Sequence, residues 1–109
     1  MVDKSGTGHL YELENAEGEE PQTIKFIRKE ISCAADETFG KFVLLEDGTT
    51  NEEVLKMLID RTKKLGEKLP SRENSIAITK LEEALMWFEK RTANRLAQNV
   101  ENTPLPHKS

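Results

Sequence analysis

The chain has 109 residues, of which 36% are hydrophobic and 33% charged, and its formal net charge is −4. That length supports one small core, and the acidic balance excludes a global field for a nucleic-acid polymer. The single cysteine, Cys33, excludes an intrachain disulfide and a cysteine zinc site, and no apolar run approaches membrane-spanning length.

Residues 1–9 are polar and glycine-bearing, which predicts a disordered tail. Residues 10–46 are expected to form a small antiparallel β-sheet. Within them, 10–14 (LYELE) alternates apolar and polar side chains, and 15–21 (NAEGEEP) is an acidic turn. Residues 23–31 (TIKFIRKEI) are the clearest strand. Ile27 follows Phe26 directly and blurs the alternation; a bulge and a strand buried on both faces are the two readings. A loop around Cys33 leads to a third strand, 41–45 (KFVLL), and Glu46-Asp47-Gly48 signals a turn.

Residues 47–99 are expected to form an antiparallel helical hairpin. Thr50-Asn51-Glu52-Glu53 reads as a capping box opening a helix to about residue 68. Val54, Leu55, Leu58 and Leu65 make its apolar stripe, with Met57 and Ile59 widening it. Pro70 ends it, since the residue before proline avoids helical angles. The short connection to Ser71 makes the next helix an antiparallel neighbour. That second helix, SRENSIAITKLEEALMWFEKRTANR and a few residues more, is capped by Ser71. Ala77, Ile78, Leu81, Ala84, Leu85 and Phe88 form its stripe. Ile76, Met86 and Trp87 lie off it, which predicts two partners: one within the chain and one in another subunit. The second helix is the longer, about 40 Å against about 27 Å, so its far end, carrying Phe88, Arg91 and Arg95, is expected to overhang. Residues 100–109 are expected to be a loose tail. The fold class is α+β, assembled as a homo-oligomer.

Little in this chain points to chemistry. The adjacent carboxylates Glu52/Glu53 and Glu82/Glu83 sit on helix surfaces rather than apart in a cleft, so a solvated face accounts for them. His9 and His107 lie near opposite ends of the chain, which disfavours a histidine dyad or metal pair. Gly6-Thr7-Gly8 lacks the preceding strand and the Lys-Ser/Thr ending of a phosphate loop. Ser71-Arg72-Glu73-Asn74 places amides, a guanidinium and a carboxamide at one helix start; an anion site and a plain cap with an exposed arginine are both open. Lys90, Arg91 and Arg95 put three cations near the helix end, where complementarity with the helix dipole is the simpler account. Trp87 and Phe88 suit either base stacking or an interface. Arg28 and Lys29 are either solvated or part of a basic pocket.

The core ITKLEEALMW, preceded by SREN, resembles the helical-hairpin domain shared by two groups of phage proteins. These are the Thoeris anti-defence sponges and the anti-CBASS cyclic-nucleotide sponges. The upstream run DGTTNEEVLKMLIDR, with a strand-rich N-terminal half, is similar to the Thoeris anti-defence group. The resemblance covers about residues 10–100 and is strongest over 47–95. It implies a non-enzymatic protein of the host bacterial cytoplasm that sequesters a cyclic nucleotide immune signal without degrading it. It implies no cofactor, no metal, no nucleic-acid polymer and no membrane as partner. The implied assembly is a hexamer. The implied ligands are glycocyclic ADP-ribose and, for several members, cyclic dinucleotides, with a separate three-fold pocket for cyclic trinucleotides.

For the signal pocket, the resemblance implies Asn74 and Arg91. The family's stacking aromatic falls by spacing on Lys64, a departure, since a lysine meets a phosphate but does not stack on adenine. Arg28 is the candidate for the trinucleotide pocket. Arg72 and Arg95 are added from the anion chemistry of the helix ends. Asn74 and Arg91 are 17 positions apart, about 25 Å along one helix, so a pocket using both must be assembled across subunits. The alternative is a phage structural or protein-interaction module with no nucleotide ligand. A nuclease or phosphodiesterase is a third reading, disfavoured because no metal-ligand cluster is visible in the sequence.

Overall fold

A computed structural model describes residues 1–101. The chain divides into two units, Met1–Thr50 and a second beginning at Asn51.

In the first unit, β1 (Val2–Asp3), β2 (Leu10–Leu13) and β3 (Gln22–Lys25) form an antiparallel sheet in that order. A separate antiparallel pair joins β4 (Arg28–Ile31) to β5 (Phe42–Glu46). The single sheet expected over 10–46 is therefore two sheets, and the single strand expected over 23–31 is two strands. The cause is a change of partner at Phe26. Its N–H donates to the His9 carbonyl at 2.7 Å, on the β2 side. The Ile27 N–H then donates to the Thr49 carbonyl at 2.8 Å, while the Thr49 N–H donates back to Lys25 at 2.9 Å. The adjacent Phe26-Ile27 pair that blurs the alternation marks this handover, and a register shift follows between Arg28 and Lys29. Tyr11 meets the Phe26 ring edge-on, with centroids 5.8 Å apart.

Residues 1–9 are ordered, contrary to the expected disordered tail. Val2 pairs with Glu12 and Asp3 with Tyr11. No apolar pattern is needed, because one carboxylate organises the loop. Asp3 accepts hydrogen bonds from the Ser5 hydroxyl at 2.7 Å and from the N–H groups of Gly8, Ser5 and Gly6 at 2.8, 3.1 and 3.1 Å. The Ser5 hydroxyl, helped by those amides, holds the Asp3 carboxyl below its ordinary 3.8 against the opposing effect of desolvation.

The second unit is a hairpin of α1 (Asn51–Lys68) and α2 (Arg72–Glu101). α1 starts directly after Thr50, with Glu52 and Glu53 in its first turn. Ser71 caps α2, its hydroxyl accepting from the Asn74 N–H at 3.0 Å. Two contacts set the register. Thr92 donates to Glu52 at 3.1 Å, and Lys63 lies 3.7 Å from Glu82. The helices are thus antiparallel, as the short connection requires.

The seam follows three- and four-residue steps on both helices. Glu52, Leu55, Ile59, Thr62 and Gly66 are the half-buried or buried line of α1, and Asn74, Ile78, Leu81, Leu85 and Phe88 that of α2. Ile59, only 8% exposed, is the one buried hydrophobic side chain among the described residues. This corrects the stripe expected for α1. Leu58 and Leu65 are exposed, and Ile59 leads instead, because the face is set by the line it shares with Leu55 and Thr62. The overhang is also shorter than expected. Since Thr92 bonds to Glu52 in the first turn of α1, Phe88 and Arg91 lie alongside α1 and only the part of α2 beyond Thr92, with Arg95, extends past it. α2 continues through residues 100 and 101, the start of the expected loose tail. The rest of that tail, with His107, lies outside the described residues.

Candidate ligand site

The six candidate residues fall at four places. Arg28 begins β4 in the first unit, half-buried, with its guanidinium 3.4 Å from Glu30. The other five belong to the hairpin. Arg72 and Asn74 occupy the first turn of α2, beside the connection. Arg91 and Arg95 occupy its far part, beside the start of α1 and beyond. Lys64 is on α1 between these ends.

At the α2 start, the Asn74 N–H is taken by the Ser71 hydroxyl, and the Ser75 hydroxyl donates to the Ser71 carbonyl at 3.2 Å. The turn is therefore a well-made cap, with Asn74 half-buried on the seam and Arg72 exposed. It has the groups of an anion site, two positions apart on one turn: a guanidinium and a carboxamide.

At the other end, two cations sit over two rings. The Arg91 guanidinium carbon is 5.1 Å from the Phe88 ring centroid, and the Lys90 ammonium is 5.2 Å from that of Trp87. In the sequence the cations and the aromatics stand as separate candidates. Their spacing carried the pairing, since 87 with 90 and 88 with 91 are each one helical turn apart. A guanidinium over a ring face is held by the ring's quadrupole, and its N–H groups are the kind of donors that pair with a phosphate.

Lys64 is exposed and bound to its own helix. Its ammonium lies 2.9 Å from Asp60. The hydrogen bond and then the charge of Asp60, with Glu67 behind it, raise its pKa above the ordinary 10.5. Lys64 is thus a fixed cation at the position where the resemblance implies an aromatic. The adjacent carboxylates are ordinary surface partners: Glu82 meets Lys63 at 3.7 Å and Glu83 meets Lys80 at 3.8 Å.

Within one chain, then, the structure brings Arg91 to Phe88 and Lys90 to Trp87, but leaves Asn74 and Arg91 at opposite ends of the paired part of the hairpin, about 25 Å apart. Among the described residues there is no group of three or more His, Cys, Asp or Glu side chains placed to hold a metal, and no helix long and apolar enough to cross a membrane.

The family described as the Acb2/Tad1 hairpin domain matches residues 24–93. That span includes β4, β5 and α1 as well as most of α2, and so holds five of the six candidates, all but Arg95. The chain is also similar to Thoeris anti-defense 1 of Bacillus phage SBSphiJ7, 48% identical over 58 residues. That similarity covers 52% of this chain and 41% of the phage protein, so it spans under half of the relative's length.

Proposed function

The chain belongs to the Acb2/Tad1 hairpin-domain family, and from that premise we propose that it is a phage anti-defence protein that sequesters a cyclic nucleotide immune signal. Capture is stoichiometric and leaves the ligand intact. Membership of the family carries the reading, because the matched span contains both Asn74 and Arg91. Glycocyclic ADP-ribose and cyclic di- or trinucleotides share the chemistry such a site recognises: phosphates for guanidinium groups, and base edges for a carboxamide. A sponge must bind near nanomolar, about −12 kcal/mol, which a compact polyanion reaches when paired charge-assisted hydrogen bonds meet it in a preformed groove. The protein acts in the host cytoplasm, where the signal is made. Its pocket is shared between subunits of a homo-oligomer, a hexamer by analogy with the family, because Asn74 and Arg91 of one chain are too far apart to hold one small molecule.

The exposed side chains of Met86 and Trp87 favour a second reading, a protein-interaction module with no nucleotide ligand. One experiment separates these from signal degradation. The protein is incubated with each cyclic signal, the free ligand is measured by chromatography, and the mixture is then heat-denatured and measured again. Sequestration depletes the signal and returns it unchanged on heating. Returned products indicate an enzyme, and no depletion leaves the interaction module.

A further inference from the structure

Asp47-Gly48 is the one place in the chain where a glycine follows an aspartate or an asparagine. It lies between the end of β5 at Glu46 and the Thr49 bridge, outside any regular element, and both residues are exposed. The Gly48 N–H donates to the Asp47 side chain, 2.9 Å from Oδ1. The amide nitrogen is thus held beside the carboxyl carbon of the preceding residue, and Gly48 has no side chain to keep the two apart. The other three aspartates lack this arrangement. Asp3 accepts from Ser5, Gly6 and Gly8, and the amide that follows it, the Lys4 N–H, donates to the Leu10 carbonyl. Asp36 accepts from both the amide and the hydroxyl of Thr38. Asp60 lies inside α1 and is paired with Lys64.

We infer that Asp47-Gly48 is a site of spontaneous backbone isomerisation. The Gly48 nitrogen attacks Asp47 Cγ. A new N–Cγ bond forms as one Cγ–O bond breaks, and the oxygen leaves as water with the amide proton and one proton from solvent. The product is a five-membered cyclic imide. Water then adds to either of its two carbonyls. Opening at Cγ restores aspartate; opening at the main-chain carbonyl leaves an isoaspartyl link, in which the chain runs through the former side chain. Either opening returns one proton to solvent, so the isomer has the same atoms and the same charge. Water is the only reagent.

The position gives the change a structural consequence. An isoaspartyl link adds one methylene to the main chain and sets the carboxylate directly on it. Gly48 has no slack to take this up: even an added Cβ meets the Phe26 carbonyl carbon at 2.5 Å and the Ile27 nitrogen at 2.8 Å. Next to it, Thr49 holds Lys25 and Ile27 through hydrogen bonds of 2.9 and 2.8 Å. On the other side, Glu46 pairs with Arg28 at the start of β4. A longer main chain at 47 moves Gly48 and Thr49 out of step with these partners, so the modification loosens the first unit where β3 gives way to β4.

The test ages the full chain in neutral buffer at physiological temperature and maps it with trypsin. Cleavage after Lys41 and Lys56 isolates residues 42–56, in which Asp47 is the one aspartate. A second form of this peptide accumulates with the same mass and a shifted retention time, and it resists the protease that cleaves before ordinary aspartate. A trace lighter by one water is the imide. Conversion of Asn51 in the same peptide is told apart because it changes the mass. Asp47→Asn isomerises faster, releasing ammonia in place of water. Asp47→Glu keeps the charge but requires a larger ring, and gives no second form over the same time. In the aged protein the Ile27 and Thr49 amides exchange with deuterium about tenfold faster or more, the equivalent of one lost hydrogen bond. A single unchanged peptide from the folded chain, under conditions in which the free 42–56 peptide isomerises, overturns the site. Isomer found at Asp3, Asp36 or Asp60 in preference to Asp47 overturns it too. Unchanged exchange in an isomerised chain overturns the structural consequence.

Discussion

At Gly48 the chain has no room for a methyl group. A Cβ there meets the Phe26 carbonyl carbon at 2.5 Å and the Lys25 oxygen at 2.7 Å, both backbone atoms that cannot swing aside. The crowding arises because 48 and 49 run beside the point where β3 gives way to β4. Gly48→Ala is expected to destabilise the first unit by about 1–3 kcal/mol, as overpacking does. Faster hydrogen exchange at the Ile27 and Thr49 amides, which flank the bridge, measures it. Asn74 and Arg91 make the opposite kind of claim, for function rather than stability. Asn74→Ala and Arg91→Ala are each expected to weaken signal capture about 10- to 100-fold, the worth of one or two hydrogen bonds to a charged ligand. Oligomer size in sedimentation stays unchanged. Capture that survives both substitutions removes these residues from the pocket.

At the scale of elements, the helices were legible almost to the residue and the strands were not. Thr50, Pro70 and Ser71 punctuate the hairpin with chemistry that acts locally, so a sequence displays it. The handover at Phe26 depends on Thr49, far away along the chain, and no local pattern announces a change of partner. The strand at Val2–Asp3 escaped notice for a different reason: its loop is ordered by the Asp3 carboxylate and not by burial. Of the candidate site, the residue types and the separation of Asn74 from Arg91 were readable, while the placement of Arg91 over the Phe88 ring needed coordinates. The face of α1 is the clearest lesson. Leu58 and Leu65 belong to the expected stripe and Ile59 only widens it, yet Ile59 is the buried one. Ile59→Ala is therefore expected to cost about 2–4 kcal/mol in chemical denaturation, and Leu65→Ala, 46% exposed, about 1 kcal/mol or less. Gly66 gives a gain of stability by the same logic. A Cβ there meets nothing within 4 Å, so Gly66→Ala should stabilise α1 by about 1 kcal/mol through helix propensity alone, read as a raised denaturation midpoint.

For the molecule as a whole, the hairpin supplies one buried hydrophobic side chain among the described residues and leaves Leu69, Ile76, Met86 and Trp87 in water. A chain that completes its core by association is stabilised by mass action. Its thermal midpoint should fall on dilution through the dissociation range, and a midpoint independent of concentration contradicts association. The same surface equips the protein with its own optical probe. Trp87 is the only tryptophan in the chain, and it stands exposed on the outer face of α2, under the Lys90 ammonium. Its emission therefore comes from one known position. A blue shift as concentration rises reports that the indole has left water, and does so without a dye, a tag or a substitution.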